Sequence, residues 1–219
     1  VTTISKAYAN TTNYVTIRIL TSEELSAKRN LAENAYDYAE KAASQQEMSN
    51  QYPHASASTE WENSPGQTFF YAKNAIDGFE NNRGHGSYPV QSWGPAPDPG
   101  QWLEIDFGRP VNAEEVGIVI RYDMPHDTYF ESAVIQVTYE DGTTSEQTIT
   151  IQCVGTEQIF ELDIYAKPIT KLRILELVAH TSGGWAAITE VKVYSNQPEV
   201  ELFVNGESIG KKTAEDHFF

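Results

Sequence analysis

Cysteine is nearly absent from this 219-residue sequence, and the single copy, Cys153, excludes any disulfide within the chain. It lies in an apolar stretch, Ile149-Thr150-Ile151-Gln152-Cys153-Val154, where a buried, inert thiol is expected. Secreted bacterial proteins often avoid cysteine, so its scarcity does not place the chain in the cytoplasm. No run approaches the roughly 18–20 apolar residues of a membrane span. Val1-Thr2-Thr3 leads straight into polar sequence, as in a mature or excised fragment without a signal peptide. Basic residues are also few: 15 Lys and Arg face 31 Asp and Glu, for a formal net charge of −16. Binding phosphate requires clustered Lys and Arg, so nucleic acid and anionic lipid are excluded as partners, and no membrane insertion is expected. Neutral ligands, cations or a basic partner are compatible with the charge, most of which serves solubility.

Catalytic signatures are missing as well. There is no G-x-S-x-G elbow, no H-E-x-x-H, no P-loop and no G-x-G-x-x-G after a strand. His54, His85, His126, His180 and His217 lack metal-site spacing. A carboxylate pair for glycoside hydrolysis can be imagined in any acidic chain, and nothing here singles one out. The chain is expected to be non-catalytic.

Hydrophobic residues at 40% and aromatics at 11% are enough for a real core. The length allows one large domain, or a sandwich of about 150 residues with appendages. Three segments differ in texture. In residues 1–51, Tyr14–Leu20 alternates like a short strand, and Thr21-Ser22-Glu23-Glu24 has capping-box spacing. Leu25, Leu31, Ala32, Ala35, Ala39, Ala42 and Ala43 then recur at helical spacing, predicting an N-terminal helix to about residue 46, followed by a linker. Residues 52–195 alternate short β-rich runs with Gly, Pro, Asn and Asp turns. The runs are Trp102–Phe107, Val116–Tyr122, Ala133–Tyr139, Glu146–Val154, Gln158–Leu162, Lys171–Val178 and Ile188–Tyr194. Asp141-Gly142 between two runs signals a hairpin whose turn positions tolerate positive φ. With no helical period between them, the strands predict a mainly β fold, an antiparallel sandwich. In residues 196–219, Val200–Val204, Asn205-Gly206 and Glu207–Gly210 read as a hairpin with a type I′ turn. An isolated hairpin is marginal in water, so this one needs a partner: the strand near Ile17, the sandwich, or a following domain.

Within 52–195, several stretches carry a family pattern in order. Ala55-Ser56-Ala57-Ser58-Thr59-Glu60-Trp61 corresponds to an opening strand, and Ala72-Lys73-Asn74-Ala75-Ile76-Asp77-Gly78 to an "A-x-x-A-x-D-G" turn. Ser92-Trp93 supplies the tryptophan that follows. Gln101–Gly108 (QWLEIDFG) and Ile188–Tyr194 (ITEVKVY) complete the set. Over roughly two-thirds of the chain, the sequence resembles the discoidin, or coagulation-factor type C, superfamily, and within it the family 32-like carbohydrate-binding modules. The resemblance implies a galactose-binding-like jelly-roll β-sandwich. The C-terminal hairpin resembles the opening of Ig-like modules of large bacterial glycosidases, here the start of a truncated one. Period-two alternation agrees with the sandwich: Leu103, Ile105 and Phe107 face one way, Trp102, Glu104 and Asp106 the other. Trp93 and Trp102 are expected in the core or at its edge.

In such modules a structural cation, usually calcium, ties the D-G loop to the last strand. By resemblance its carboxylates are Asp77 and Glu190, with oxygens near Asn74 and Thr189 and the side chain of Asn82 completing the shell. The alternative is that Asp77 only closes an Asx turn and Glu190 sits on a solvated strand face. A long insert, Phe79–Gln91, separates the turn from its tryptophan, a departure from the family pattern at the place of the third side-chain ligand.

Sugar recognition needs an aromatic face and planar polar groups held on loops. Arg121 matches the family's sugar-contacting arginine. The glycan-binding set is Arg121, Asp123, His126, Tyr129 and Trp185, joined by His85 and Tyr88 of the insert. In the bland alternative Arg121 pairs with Asp123 or Glu131, His126 is a turn residue and Trp185 caps the core. The function implied is a secreted or cell-surface carbohydrate-binding module, next to other domains of a glycan-active bacterial protein. The rival reading is a protein-docking module or structural spacer beside a catalytic domain.

Overall fold

The alternation in Gln101–Gly108 sets the architecture. In a computed structural model, which describes residues 28–34, 52–62, 69–80, 92–124, 127–163, 167–182, 184–195, 199–204 and 207–213, that stretch lies largely in a nine-residue strand of a five-stranded sheet. Numbered along the chain, the strands are β1 (Arg29–Asn30), β2 (His54–Ala57), β3 (Trp61–Glu62), β4 (Phe69–Phe70) and β5 (Leu103–Val111). They continue with β6 (Glu115–Ile120), β7 (Phe130–Tyr139), β8 (Thr144–Thr150), β9 (Gln158–Glu161) and β10 (Ile169–Ala179). The last are β11 (Ile188–Ser195), β12 (Glu199–Val204) and β13 (Glu207–Thr213). One sheet has the order β2-β5-β10-β7-β8 and the other β1-β11-β6-β9. β3 pairs with β4, and β12 with β13. The non-sequential neighbours β5–β10–β7 and β11–β6 are the crossed connections of a sandwich rather than a simple meander.

The inner faces fill the core as period two requires. Leu103, Ile105 and Phe107 of β5 are buried, with Leu172 and Ile174 of β10 and Ile135 and Val137 of β7. Val116, Ile118 and Ile120 of β6 and Val191 and Val193 of β11 supply the other layer of the same cluster. Each such side chain, fully buried, contributes about 1.5–3 kcal/mol. Trp93 is fully buried, its indole N–H donating to the Thr59 carbonyl at 3.0 Å. Trp102 is not in the core. It stands half-exposed at the start of the outward-facing set, with the Arg173 guanidinium 4.6 Å from its ring centroid.

Several expectations change. Among the described residues no α-helix is present. Residues 28–34, assigned to the N-terminal helix, are not helical: Arg29–Asn30 is β1, the chain bends at Leu31 and Ala32, and the Leu31 N–H donates to the Val193 carbonyl at 2.7 Å. Leu31 and Ala32 are buried in the core, so their apolar spacing reflects sandwich packing rather than a helical stripe. The strand Tyr14–Leu20 and the rest of that helix lie outside the described residues. The chain divides into two compact units, Asn30–Tyr194, and Val1–Arg29 with Ser195–Phe219. The sandwich unit therefore starts at Asn30, well before residue 52. The second unit contains the β12–β13 hairpin, antiparallel with an irregularity between Leu202 and Phe203; Asn205 and Gly206 lie outside the described residues.

Cys153 is exposed, not buried. β8 ends at Thr150, and after the buried Ile151 the chain turns outward, exposing Gln152, Cys153 and Val154. The β7–β8 connection is longer than a two-residue turn: the Tyr139 N–H reaches the Thr143 carbonyl, and only Gly142 takes positive φ. On the open side of the sandwich, the Gln147 carboxamide of β8 donates to the Glu161 carbonyl of β9 at 2.9 Å. Its oxygen accepts the Asp163 N–H, also at 2.9 Å.

Candidate functional site

At one end of the sandwich, Arg121 follows directly on β6 and its side chain is 9% exposed. A buried guanidinium must be paired. Its Nε donates to Asp127 Oδ2 at 2.7 Å and its Nη2 to Asp127 Oδ1 at 2.9 Å, a two-pronged pair with a carboxylate that is fully buried. The same Nη2 donates to the Trp185 carbonyl at 3.0 Å, and the guanidinium carbon lies 5.4 Å from the Phe70 ring centroid. The partner is thus Asp127, not Asp123 or Glu131. Arg121 fixes the backbone of the loop that carries Trp185.

Trp185 follows Gly184, and there the glycine is required: a Cβ on Gly184 would stand 2.7 Å from Thr128 Cγ2. Thr128 binds that loop from the other side, its hydroxyl oxygen 2.8 Å from the hydroxyl of Thr181. Held this way, the Trp185 ring is 36% exposed, and its centroid lies 4.6 Å from that of Trp61 at an interplanar angle of 55°. Trp61 and Phe70 are directly paired across β3 and β4, so their side chains share a face. One contacts Trp185 and the other lies under Arg121. The result is a tilted aromatic pair, partly open to solvent, on a rigid polar clamp. Trp185 does not cap the core.

The other predicted binding residues are more dispersed. Asp123 is half-buried, and its carbonyl accepts the Asp127 N–H at 3.1 Å. Tyr129 stacks on His180, with centroids 4.9 Å apart and planes 25° from parallel, while His180 Nδ1 is 2.8 Å from Glu131 Oε2. His85, Tyr88 and His126 lie outside the described residues. Trp61 and Asp127 are the members that sequence reasoning did not assign. Trp61 was visible only as the end of the opening strand, and Asp127 only as a polar neighbour of His126.

The predicted cation site lies elsewhere in the sandwich unit. Asp77 is buried, and its Oδ1 accepts the Phe79 N–H at 3.0 Å, which is the Asx turn. Gly78, next in the turn, has φ +83°. Glu190, however, is fully buried on β11 and not on a solvated face. One of its carboxylate oxygens accepts the Gly78 N–H at 3.1 Å. The other, Oε2, is buried with no hydrogen-bond partner among the described residues. Burial, followed by the nearby Asp77 carboxylate, pushes the Glu190 carboxyl up to about 9. A buried carboxylate with an unsatisfied oxygen is costly unless a cation or proton compensates it. Two acidic side chains meeting over a turn are a hard-oxygen donor set that suits calcium. Asn74 and Thr189 are buried beside these residues in sequence, the Asn74 amide donating to the Ser92 carbonyl at 3.2 Å. Asn82 lies outside the described residues. Among the described residues no group of three or more His, Cys, Asp and Glu side chains is placed to hold a metal ion, so Asp77 and Glu190 would need main-chain oxygens to complete a cation shell.

The fold is similar to those of several carbohydrate-binding modules of solved structure. A fucose binding module of Streptococcus pneumoniae, SpX-3, is similar with a TM-score of 0.52 and 18% identity, over 76% of this chain and 98% of that one. A mutant of the lectin binding domain of Lectinolysin, complexed with Lewis b, gives 0.53 and 16% over 77% and 97%. CpGH89CBM32-5 from Clostridium perfringens, in complex with GalNAc-β-1,3-galactose, gives 0.50 and 17% over 64% and 94%. At these identities the likeness is one of fold. A family described as a domain of unknown function, DUF4982, matches residues 186–219, from the last sandwich strand through the hairpin. No curated protein matches the chain.

Proposed function

We propose that the sandwich unit is a non-catalytic carbohydrate-binding module whose stacking platform is Trp185 with Trp61. The observation that carries this reading is the exposed Trp185 ring, held in a fixed pose by Gly184 and by the Arg121 contact to its carbonyl. A preorganised aromatic face at low ordering cost is what a shallow sugar site requires. The sugar-binding neighbours of the same fold support it. Arg121 acts here as a positioning residue as much as a sugar contact, with Asp123, Tyr129 and the insert's His85 and Tyr88 as rim groups, alongside His126. Calcium held by Asp77 and Glu190, with oxygens from Asn74, Thr189 and Asn82, is structural in this reading. It neutralises the buried carboxylates and supplies no chemistry. The module is placed outside the cell, where it directs the neighbouring domains of a glycan-active bacterial protein to their substrate.

A glycan array on the intact chain, followed by titration of any hit against Trp185→Ala and Trp61→Ala, tests the platform. Loss of about 2 kcal/mol of binding, or roughly thirtyfold, is expected for Trp185→Ala with an unchanged melting midpoint. Absence of binding to every glycan would sink the reading and leave a docking or spacer role.

A further inference from the structure

Beside the Trp185 loop a further aromatic ring stands open to solvent. Tyr122 directly follows Arg121 and is 42% exposed. Solitary exposed apolar side chains are ordinary on a protein surface. Tyr122 differs in having a built seat. A Cβ on Gly155 would stand 3.1 Å from Cβ, Cγ and Cδ1 of Tyr122, so the tyrosine rests on bare backbone, closer than a side chain there would allow.

The seat is itself fixed. The Gln158 carboxamide of β9 accepts the Gln152 N–H at 2.7 Å and donates to the Gln152 carbonyl at 3.1 Å. That carbonyl also accepts the Val154 N–H at 2.9 Å, and the Ile151 N–H donates to the Glu131 carbonyl at 2.9 Å. Past Gly155, the Glu157 carboxylate accepts the Tyr194 hydroxyl at 2.6 Å. Residues 151–157 are thus tied to β7, β9 and β11, and little ordering remains when a ligand stacks on the ring.

Strand pairing sets the place of Tyr122 relative to Trp185. Ile188 pairs with Ile120, and the Arg121 N–H continues the ladder to the Ala187 carbonyl at 3.0 Å. Tyr122 and Trp185 therefore leave adjoining ends of β6 and β11, where paired chains run about 5 Å apart. Arg121 links the two: its side chain holds the Trp185 carbonyl, and the next residue is Tyr122. With that guanidinium committed to Asp127, the rings offer faces rather than charge, which suits neutral pyranose units.

We propose that Tyr122, seated on Gly155, is a second sugar-stacking surface beside Trp185, so that the module takes a neutral oligosaccharide with one unit on each ring. The inference rests on the Trp185–Trp61 platform proposed above and extends it to the next unit of the glycan.

The test titrates the intact chain by calorimetry with galactose, N-acetylglucosamine, mannose and fucose, each as the monosaccharide and as the end unit of a di- and a trisaccharide. For a sugar that binds, the wild type is expected to gain about tenfold in affinity with added units. Tyr122→Ala should bring that ratio to near one, as should Tyr122→Leu, which keeps apolar bulk on Gly155 without a flat face. Tyr122→Phe, which keeps the ring, should preserve it. Tyr52→Ala removes another exposed tyrosine seated on a glycine, Gly108, on the side of β2 away from Trp61, and should leave the ratio unchanged. A ratio of one in the wild type, or a tenfold ratio kept in Tyr122→Ala, overturns the proposal while monosaccharide binding that is lost in Trp185→Ala keeps the platform standing. Equal loss of monosaccharide and oligosaccharide affinity in Tyr122→Ala and Tyr122→Leu also overturns it. Binding of none of these sugars by the wild type overturns this inference, and the platform itself falls only if the wider glycan array is silent too.

Discussion

Arg121 and Glu190 are both buried ionisable side chains on neighbouring strands of one sheet, and the fold treats them in opposite ways. Arg121, at the end of β6, has a two-pronged carboxylate, a carbonyl and a ring around its guanidinium. Glu190, on β11 opposite Val119, has one backbone N–H and a second oxygen with no partner among the described residues. The first arrangement is complete in the protein alone. The second leaves a buried oxygen unsatisfied among the described residues, and burial pushes its carboxyl up to about 9. Buried polar groups left half-satisfied in a well-packed fold point to a missing ligand more reliably than satisfied ones do.

That contrast breaks most visibly if the complete pair is opened. Arg121→Ala or Asp127→Ala leaves one charge buried alone and is expected to cost about 3–5 kcal/mol. Denaturant unfolding checks it. The double replacement Arg121→Met with Asp127→Leu should cost clearly less than the sum of the two single changes. Equal costs would mean that the pair is not coupled. One corollary concerns ligand studies: loss of sugar binding in Arg121→Ala does not identify a sugar contact, because Trp185 loses its anchor too.

The incomplete site should respond to its ion instead. Chelation is expected to lower the melting midpoint, and calcium at about a hundred times its dissociation constant to restore roughly 2.7 kcal/mol. In Glu190→Gln the calcium response should vanish, since the substitution removes the charge that the ion balances. A calcium response of unchanged size in Glu190→Gln would place the ion elsewhere.

His54 sharpens the comparison with the smallest effect. It is half-buried, its Nδ1 has no hydrogen-bond partner among the described residues, and burial lowers its pKa, partly offset by Asp106. A histidine can relieve its burial by staying neutral. The unfolded chain takes up the proton near pH 6.5, the ordinary value of about 6.5 for histidine, while the folded one takes it up only at lower pH. Protons therefore favour the unfolded state, and stability falls as pH drops through about 6.5 toward the lower folded value. Urea midpoints between about pH 7.5 and pH 5.5 (about one unit either side of that value) should show a dip that His54→Asn removes.

The strands were legible because period-two alternation is local. Leu103, Ile105 and Phe107 point inward as the pattern demands, and the seven expected runs correspond to β5 through β11. Residues 30–34 were not legible. Leu31 and Ala32 satisfy a helical period by accident of spacing with the alanines after them, while the long-range backbone partners of Leu31 and Asn34, Val193 and Ile76, lie far along the chain. The same limit hid Trp61. Its contact with Trp185 spans more than a hundred residues, and no local period reports a pairing between β3 and a loop before β11. Cys153 misled for the reverse reason: its neighbours are apolar, but β8 ends three residues earlier, and the chain is already turning outward.

The Gln147 carboxamide has a consequence for neighbours rather than for the sandwich itself. A side-chain amide has the same donor and acceptor as a peptide group. Bonded to the Glu161 carbonyl and the Asp163 N–H, it occupies main-chain positions at an edge where an incoming strand would otherwise dock. The two sheets stay separate, yet one residue gives that border a dummy rung, a form of self-blocking against edge-to-edge association.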